Sequence, residues 1–417
     1  MSTTHPSSKP EGQPTRPSRA SLRGLDWFTF FVADIQTSFG PFIAVYLTTQ
    51  KWTLADIGLV LTIGGLVSLI GQMPGGAVVD AVRSERRAAA WAVAGIGVSA
   101  LVLALWPIFI IVVAARVLHA ASSCVLGPAL AAISLGLVGH AAIGERLGRN
   151  ARFASVGNGL SAAVMGAVGY LFSSAAVFFV AAALAIPALA SLFRIRADEI
   201  DPVTAHGGIR EPRATSSAGL HLLFHNRALL VLAGCAALFH LANATMLPLM
   251  ASVVTKEMPD RATILIAACI VVPQLVVAAC SPWVGRQAQA LGRKKVLMIG
   301  FIALPIRGLL FAFVSNPYLL VVVQVLDGVS AAVLGVLVPL ITADVTRGTG
   351  RFNLAQGMIG TAVGVGASVS GVLTGSVADL SGSTVAFLML AATGAVGVTS
   401  VWALMPETRD LATKPWR

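Results

Sequence analysis

The chain has 417 residues, 56% hydrophobic and 11% charged, with a mean hydropathy of +0.83. A water-soluble chain of this length carries roughly a quarter charged residues, so a soluble globular enzyme is excluded. The formal net charge of +11 points to nucleic acid only if the basic residues form a surface of their own; between apolar runs of about 20 residues they mark membrane topology instead.

Residues 1–24 are rich in Ser, Pro, Thr and Arg, lack an apolar core, and are expected to form a disordered tail, not a signal peptide. Beyond them, apolar runs alternate with short polar breaks and predict twelve transmembrane helices. In chain order these are 26–49, 54–80, 87–106, 108–138, 152–173, 175–193, 226–255, 260–284, 295–314, 317–343, 353–378 and 383–405. The runs are far longer than the ten-residue alternating segments of a membrane barrel. The expected fold class is therefore all-α integral membrane. The long polar stretch 194–225 divides six spans from six, giving bundles over 25–193 and 226–405, a linker between them and a tail over 406–417.

The charges set the expected orientation. If both termini are cytoplasmic, 24 Lys and Arg residues fall in cytoplasmic segments, and only Lys51, Lys256 and Arg261 fall outside. This is a strong positive-inside bias. It accounts for the basic character without nucleic acid, and it favours contact with anionic membrane lipid. Cys124, Cys235, Cys269 and Cys280 lie within apolar runs without metal-ligand spacing, so neither a disulfide framework nor a metal site is expected. No phosphate-cradling loop, nucleophile–base arrangement or cofactor motif stands out.

The two halves repeat. Gly76-Ala-Val-Val-Asp80-Ala-Val-Arg83-Ser-Glu-Arg86-Arg87 follows the second span, and Gly285-Arg-Gln-Ala-Gln289-Ala-Leu-Gly292-Arg293-Lys294-Lys295 follows the eighth, 209 residues later. Arg116-Val-Leu-His119-Ala-Ala-Ser122 in the fourth span matches Gln324-Val-Leu-Asp327-Gly-Val-Ser330 in the tenth, at an offset of 208. The fifth and eleventh spans both open with Arg-Phe, at Arg152 and Arg351. This layout, with its two loop copies, resembles the major facilitator superfamily (MFS), whose signature loop reads Gly-x-x-x-Asp-(Arg)-x-Gly-Arg-Arg. The first copy keeps Gly76 and Asp80 but shifts its basic pair to Arg86-Arg87; the second keeps Gly285, Gly292, Arg293 and Lys294 but has Gln289 in the acidic place. The resemblance implies two pseudo-symmetric six-helix bundles with a substrate site between them, exposed alternately to each side. It also implies a cytoplasmic latch made by Asp80 and a nearby Arg. An acid at that position can also cap a neighbouring helix N-terminus.

Ionisable residues inside spans are the functional candidates, because burying a charge in the bilayer costs several kcal/mol. Asp34 in the first span and Arg116 in the fourth lie at matching depth, where they either act as a proton-coupling pair or form a static ion pair. Arg116-x-x-His119 partly matches an Arg-x-x-Gln-Gly motif that the resemblance associates with proton-coupled exporters. Asp327 mirrors His119 and Gln324 mirrors Arg116, as two sides of one site. Arg307 in the ninth span either turns inward to Asp327 or snorkels to an interface. His240 and Asn243 share a face of the seventh span near Pro248, either for ligand contact or for helix packing. Gln36, Asn158 and Gln356 complete the polar set, with Asn353 and Gln356 equally placed to serve as gate residues. The fifth span reads Gly157-Asn158-Gly159-Leu160-Ser161-Ala162, without the proline of the family's antiporter element.

These features predict a monomeric, inner-membrane secondary transporter of a small organic solute, with proton-coupled efflux as the leading reading. The alternatives are proton-coupled uptake, carriage of an anion or metal chelate, and a non-transporting receptor or scaffold.

Overall fold

The structure, a computed structural model, describes residues 17–37, 41–208, 223 and 225–409. Residues 1–16 of the first tail, 38–40 of the first predicted span, 209–222 and 224 of the linker, and 410–417 of the last tail lie outside the described residues. In an apolar layer no water reaches backbone N–H and C=O groups, so each spanning run satisfies them internally as an α-helix. Among the described residues there is no strand.

Among the described residues, ten helices are long and apolar enough to cross a membrane, from Leu54–Ala81 to Ser383–Leu404. Phe109–Leu171 has 63 residues, about 95 Å of helix against a hydrocarbon core of about 30 Å. It folds back at Gly139, whose φ of 69° and ψ of 174° interrupt the helix; glycine alone adopts this without a Cβ penalty. This element supplies the fourth and fifth spans. Arg19–Thr37 and Pro41–Thr49 together make the first, so the crossings number twelve. The seventh is broken between Arg227–Asn243 and Met246–Glu257.

Side chains punctuate the helices where the apolar pattern stops. Thr53 accepts from the Asp56 amide and Ser84 from the Arg87 amide, opening the second and third spans. Asn226 caps the seventh span through the Leu229 amide and donates to the Val345 carbonyl at 2.9 Å, tying that helix start to the end of the tenth. A single glycine at positive φ, Gly292, separates Pro259–Leu291 from Arg293–Phe313, and Gly382 does the same between the last two helices.

Two apolar cores form. One contains Phe28, Tyr46, Ile96 and Phe178 and draws on residues between Leu25 and Ala205. The other contains Phe239, Phe301, Leu337 and Phe387, and it also takes in Leu135, Ile143 and Leu147 from the fourth–fifth turn. Both described termini, the turn at 82–84, the fold-back at Gly139 and the linker meet at one end of the molecule, the terminal face. Ser18 donates to Glu199, Asp201 N–H to Gly136 O, and Arg293 N–H to Glu407 there.

Candidate functional site

The halves touch through the second, fifth, eighth and eleventh spans, and the closest contacts lie towards the terminal face. A Cβ on Gly76 would collide with the Asn353 carbonyl, and one on Gly357 with the Gln72 carbonyl. On the other side, a Cβ on Gly285 would meet the Gly144 carbonyl, and one on Gly148 the Ser281 carbonyl. Adding the 209-residue repeat offset to Gly76 and Gln72 gives Gly285 and Ser281; subtracting it from Asn353 and Gly357 gives Gly144 and Gly148. The cross-half contacts therefore obey the same pseudo-symmetry as the sequence. Ser155 donates to the Gln274 carbonyl at 2.7 Å and Arg152 to the Ala278 carbonyl at 2.8 Å, extending the seal along the fifth and eighth spans. At the opposite end, Cβ atoms added to Gly58, Gly65, Gly371 or Gly375 would meet nothing within 4 Å. The close cross-half contacts thus form a seal towards the terminal face.

Asp80 sits in this seal. Its Oδ1 accepts from Asn353 N–H at 3.2 Å and Asn353 Nδ2 at 2.8 Å, and its Oδ2 accepts from Leu354 N–H at 2.8 Å. The carboxylate thus caps the first turn of Phe352–Ser381, where the free amides and the helix dipole favour an anion. This is the helix-capping arrangement, and no arginine latch to Asp80 forms among the described residues. Arg86 donates to the Ile195 carbonyl at 2.5 Å and lies over the Phe193 ring, while Arg87 is exposed. In the second copy, Gln289 Nε2 donates to the Ala141 carbonyl at 3.4 Å. Arg293 is buried against Asp344 at 2.9 Å, and Asp344 also accepts from Thr408.

Asp34 is 4% exposed, and its Oδ1 has no hydrogen-bond partner. Gly157 lies against it: a Cβ there would be 3.1 Å from Asp34 Oδ1. Arg116 is buried with its Nε unsatisfied; its Nη1 contacts His119 Nδ1 at 3.3 Å, and the absence of a side chain at Gly64 makes room for the guanidinium. Asp34 and Arg116, which their depth allowed to pair, make no ion pair with each other. Arg307 turns inward to form an ion pair with Asp327 and lies over the Phe311 ring. Gln324 is fully buried with both amide atoms unsatisfied. His240 Nδ1 is 2.9 Å from the Ala236 carbonyl, which ties it to its own helix, and Asn243 Oδ1 is unsatisfied. Asn158 is half-buried and Gln36 is exposed. Gln356 lines a cavity of about 340 Å³ between the halves with Thr29, Gln72, Asn150, Pro128 and Pro339, whereas Asn353 belongs to the seal.

Other groups were not singled out by the sequence. Asp26, buried beneath the first span, accepts from Arg146 at 2.5 Å and from Arg149 at 2.6 and 2.8 Å. Arg146 continues to Asn150, and Asn150 to Ser134. In the linker, His206 Nε2 lies 3.0 Å from Glu85 Oε1, and the His206 carbonyl accepts from Phe352 N–H. The hydrogen bond to Glu85, joined by the charges of Glu85 and Asp80, holds the His206 pKa above the ordinary histidine value against the effect of burial. A lone histidine in a polar linker carries no motif; only its fold-dependent neighbours identify it.

The family model for the Major Facilitator Superfamily matches residues 27–275 and 262–417. The chain belongs to the major facilitator superfamily. It is a multi-pass membrane protein of a transporter family, not of an enzyme family. An uncharacterized MFS-type transporter of Mycobacterium tuberculosis (strain H37Rv) is 37% identical over 395 residues, covering 93% of this chain and 94% of that one. Among solved structures, the proton:xylose symporter XylE superposes with a TM-score of 0.70 at 14% identity, covering 94% of this chain and 97% of that one. The human organic anion transporter MFSD10 gives 0.68 at 15% identity, covering 93% and 100%. These likenesses carry the fold.

Proposed function

We propose that this transporter moves a small organic solute by alternating access, with a proton bound at Asp34 as the coupling ion. In this reading it lies in an inner membrane with both termini cytoplasmic, as the bias of basic residues favours. The observation that carries the reading is Asp34: a buried carboxyl in a membrane span with an oxygen that no protein group satisfies. An ionised carboxylate at that place is costly, so the protonated form suits this conformation, and proton release belongs to the other. The seal at the terminal face corresponds to an outward-facing state. Export follows if solute leaves as Asp34 takes its proton, and the proton is given up after the halves rock. The direction rests on the Arg116-x-x-His119 motif. Asp327, about a quarter exposed in its pair with Arg307, is the second carboxylate for this role.

The test is pH-gradient-driven flux in proteoliposomes with Asp34→Asn. The expected result is loss of gradient-driven transport with solute exchange retained; gradient-driven flux at the native rate would overturn the coupling role. Arg116 favours a second reading, uptake of an organic anion, because it is a buried guanidinium with no acid partner among the described residues. Under that reading Arg116→Gln abolishes solute binding itself. The absence of flux for every solute would favour a receptor or scaffold.

A further inference from the structure

Away from the interface between the halves, the first helix carries Arg19, Arg23, Trp27 and Phe31 at successive steps of four, hence along one face. Arg19, Arg23 and Trp27 are exposed, Trp27 by 47%. The two arginines line a pocket of about 370 Å³ with Asp26, Glu145, Arg146 and Arg149. Asp26 is already saturated by Arg146 and Arg149. Among the described residues, Arg19 and Arg23 enter no ion pair. Four guanidinium groups against two carboxylates leave a net positive pocket. Beside it, Trp27 packs edge-on to Phe153 at 6.1 Å and against Phe30 and Phe31, and Arg149 lies 5.5 Å over the Phe153 ring. The basic end and the aromatic end are separated by two steps of the helix, about 12 Å.

A cationic pocket with an exposed tryptophan beside it, on the same face of the first helix, matches the two ends of an amphiphile. Arginine forks suit phosphate oxygens, and amphipathic rings settle where headgroup meets acyl chain. We propose that this pocket and the rings beside it bind one anionic phospholipid, with its phosphate held among Arg19, Arg23 and Arg149 and an acyl chain laid along Trp27 and Phe153. Inorganic phosphate shares the headgroup chemistry but has no use for the aromatic rings. The occupant here is the lipid.

The experiment is native mass spectrometry of the full-length detergent-purified protein, titrated with phosphatidylglycerol or phosphatidylcholine of the same chains. The native protein is expected to retain one phosphatidylglycerol in preference to phosphatidylcholine. Each basic residue near an anionic surface contributes about fivefold in affinity, so R19Q/R23Q should weaken retention about twenty-five-fold. The charge-matched control R83Q/K295Q should leave it unchanged. In a second measurement, phosphatidylglycerol brominated on its acyl chains should quench a fluorescence component that W27F lacks. Native-like retention by R19Q/R23Q, equal loss in the control, or full displacement by equimolar inorganic phosphate would each overturn the proposal. Quenching unchanged in W27F would remove the acyl contact from it.

Discussion

Asp80 and Gln289 occupy equivalent positions in the two loop copies, and each side chain fits the backbone group it meets. Asp80 faces free amides at the start of Phe352–Ser381, which call for an acceptor. Gln289 faces the Ala141 carbonyl, which calls for a donor, and its Oε1 accepts from Arg293. The missing acid of the second copy is thus a consequence of what lies opposite. Replacing Asp80 with Ala removes a helix cap worth about 1–2 kcal/mol. That predicts a roughly tenfold shift away from the sealed state, read as longer distances between spin labels placed at residues 83 and 347. Gln289→Glu should loosen the same seal by setting a carboxylate against a carbonyl; an unchanged distance distribution would count against both assignments. The loop motif made Asp80 legible from the sequence. Its partners were not legible, because they depend on which residue opens the eleventh helix.

At the scale of elements, the linker acts as a clasp. Its helix Pro202–Ala205 is capped by Asp201. His206 and Gly207 accept from Phe352 and Gly348 N–H while the His206 ring meets Glu85. One short segment therefore touches the start of the third span and the start of the eleventh. A histidine whose pKa is raised on folding adds stability that is complete below its ordinary value near 6.5 and disappears as pH climbs through the raised value. Hydrogen exchange of the amides at 201–208, corrected for intrinsic rates, should therefore show protection that falls as pH rises above the ordinary histidine value near 6.5. His206→Gln should flatten that dependence; an identical pH profile in the variant would remove the histidine from the clasp. The sequence marked this stretch as a long polar break between the two sets of six spans. Its docking was hidden because Glu85 and Phe352 come from opposite halves of the chain.

For the whole molecule, the repeat proves more informative than any single motif. The twelve spans were readable because bilayer thickness imposes a length on every apolar run, and the 209-residue offset relates the contacts that seal the halves. What could not be read was which pairs of charges meet inside. Arg307 reaches Asp327, while Asp34 and Arg116 stay apart, since side-chain direction within a span follows from helix rotation rather than depth. The symmetry makes a paired prediction. Gly148 and Gly357 each lie where a Cβ meets a carbonyl of the other half, so Gly148→Leu and Gly357→Leu both insert bulk into a closed seam. Overpacking at such a seam costs about 1–3 kcal/mol, enough to shift the equilibrium between facing states by about tenfold or more. A cysteine placed at Thr29, which lines the cavity between the halves, should then become reactive to a membrane-impermeant thiol reagent from the terminal face, and to a similar extent in both variants. Unequal responses would show that one seam opens without the other. In that case the halves would part by bending of individual helices, and the rigid rocking that equal responses require would not hold.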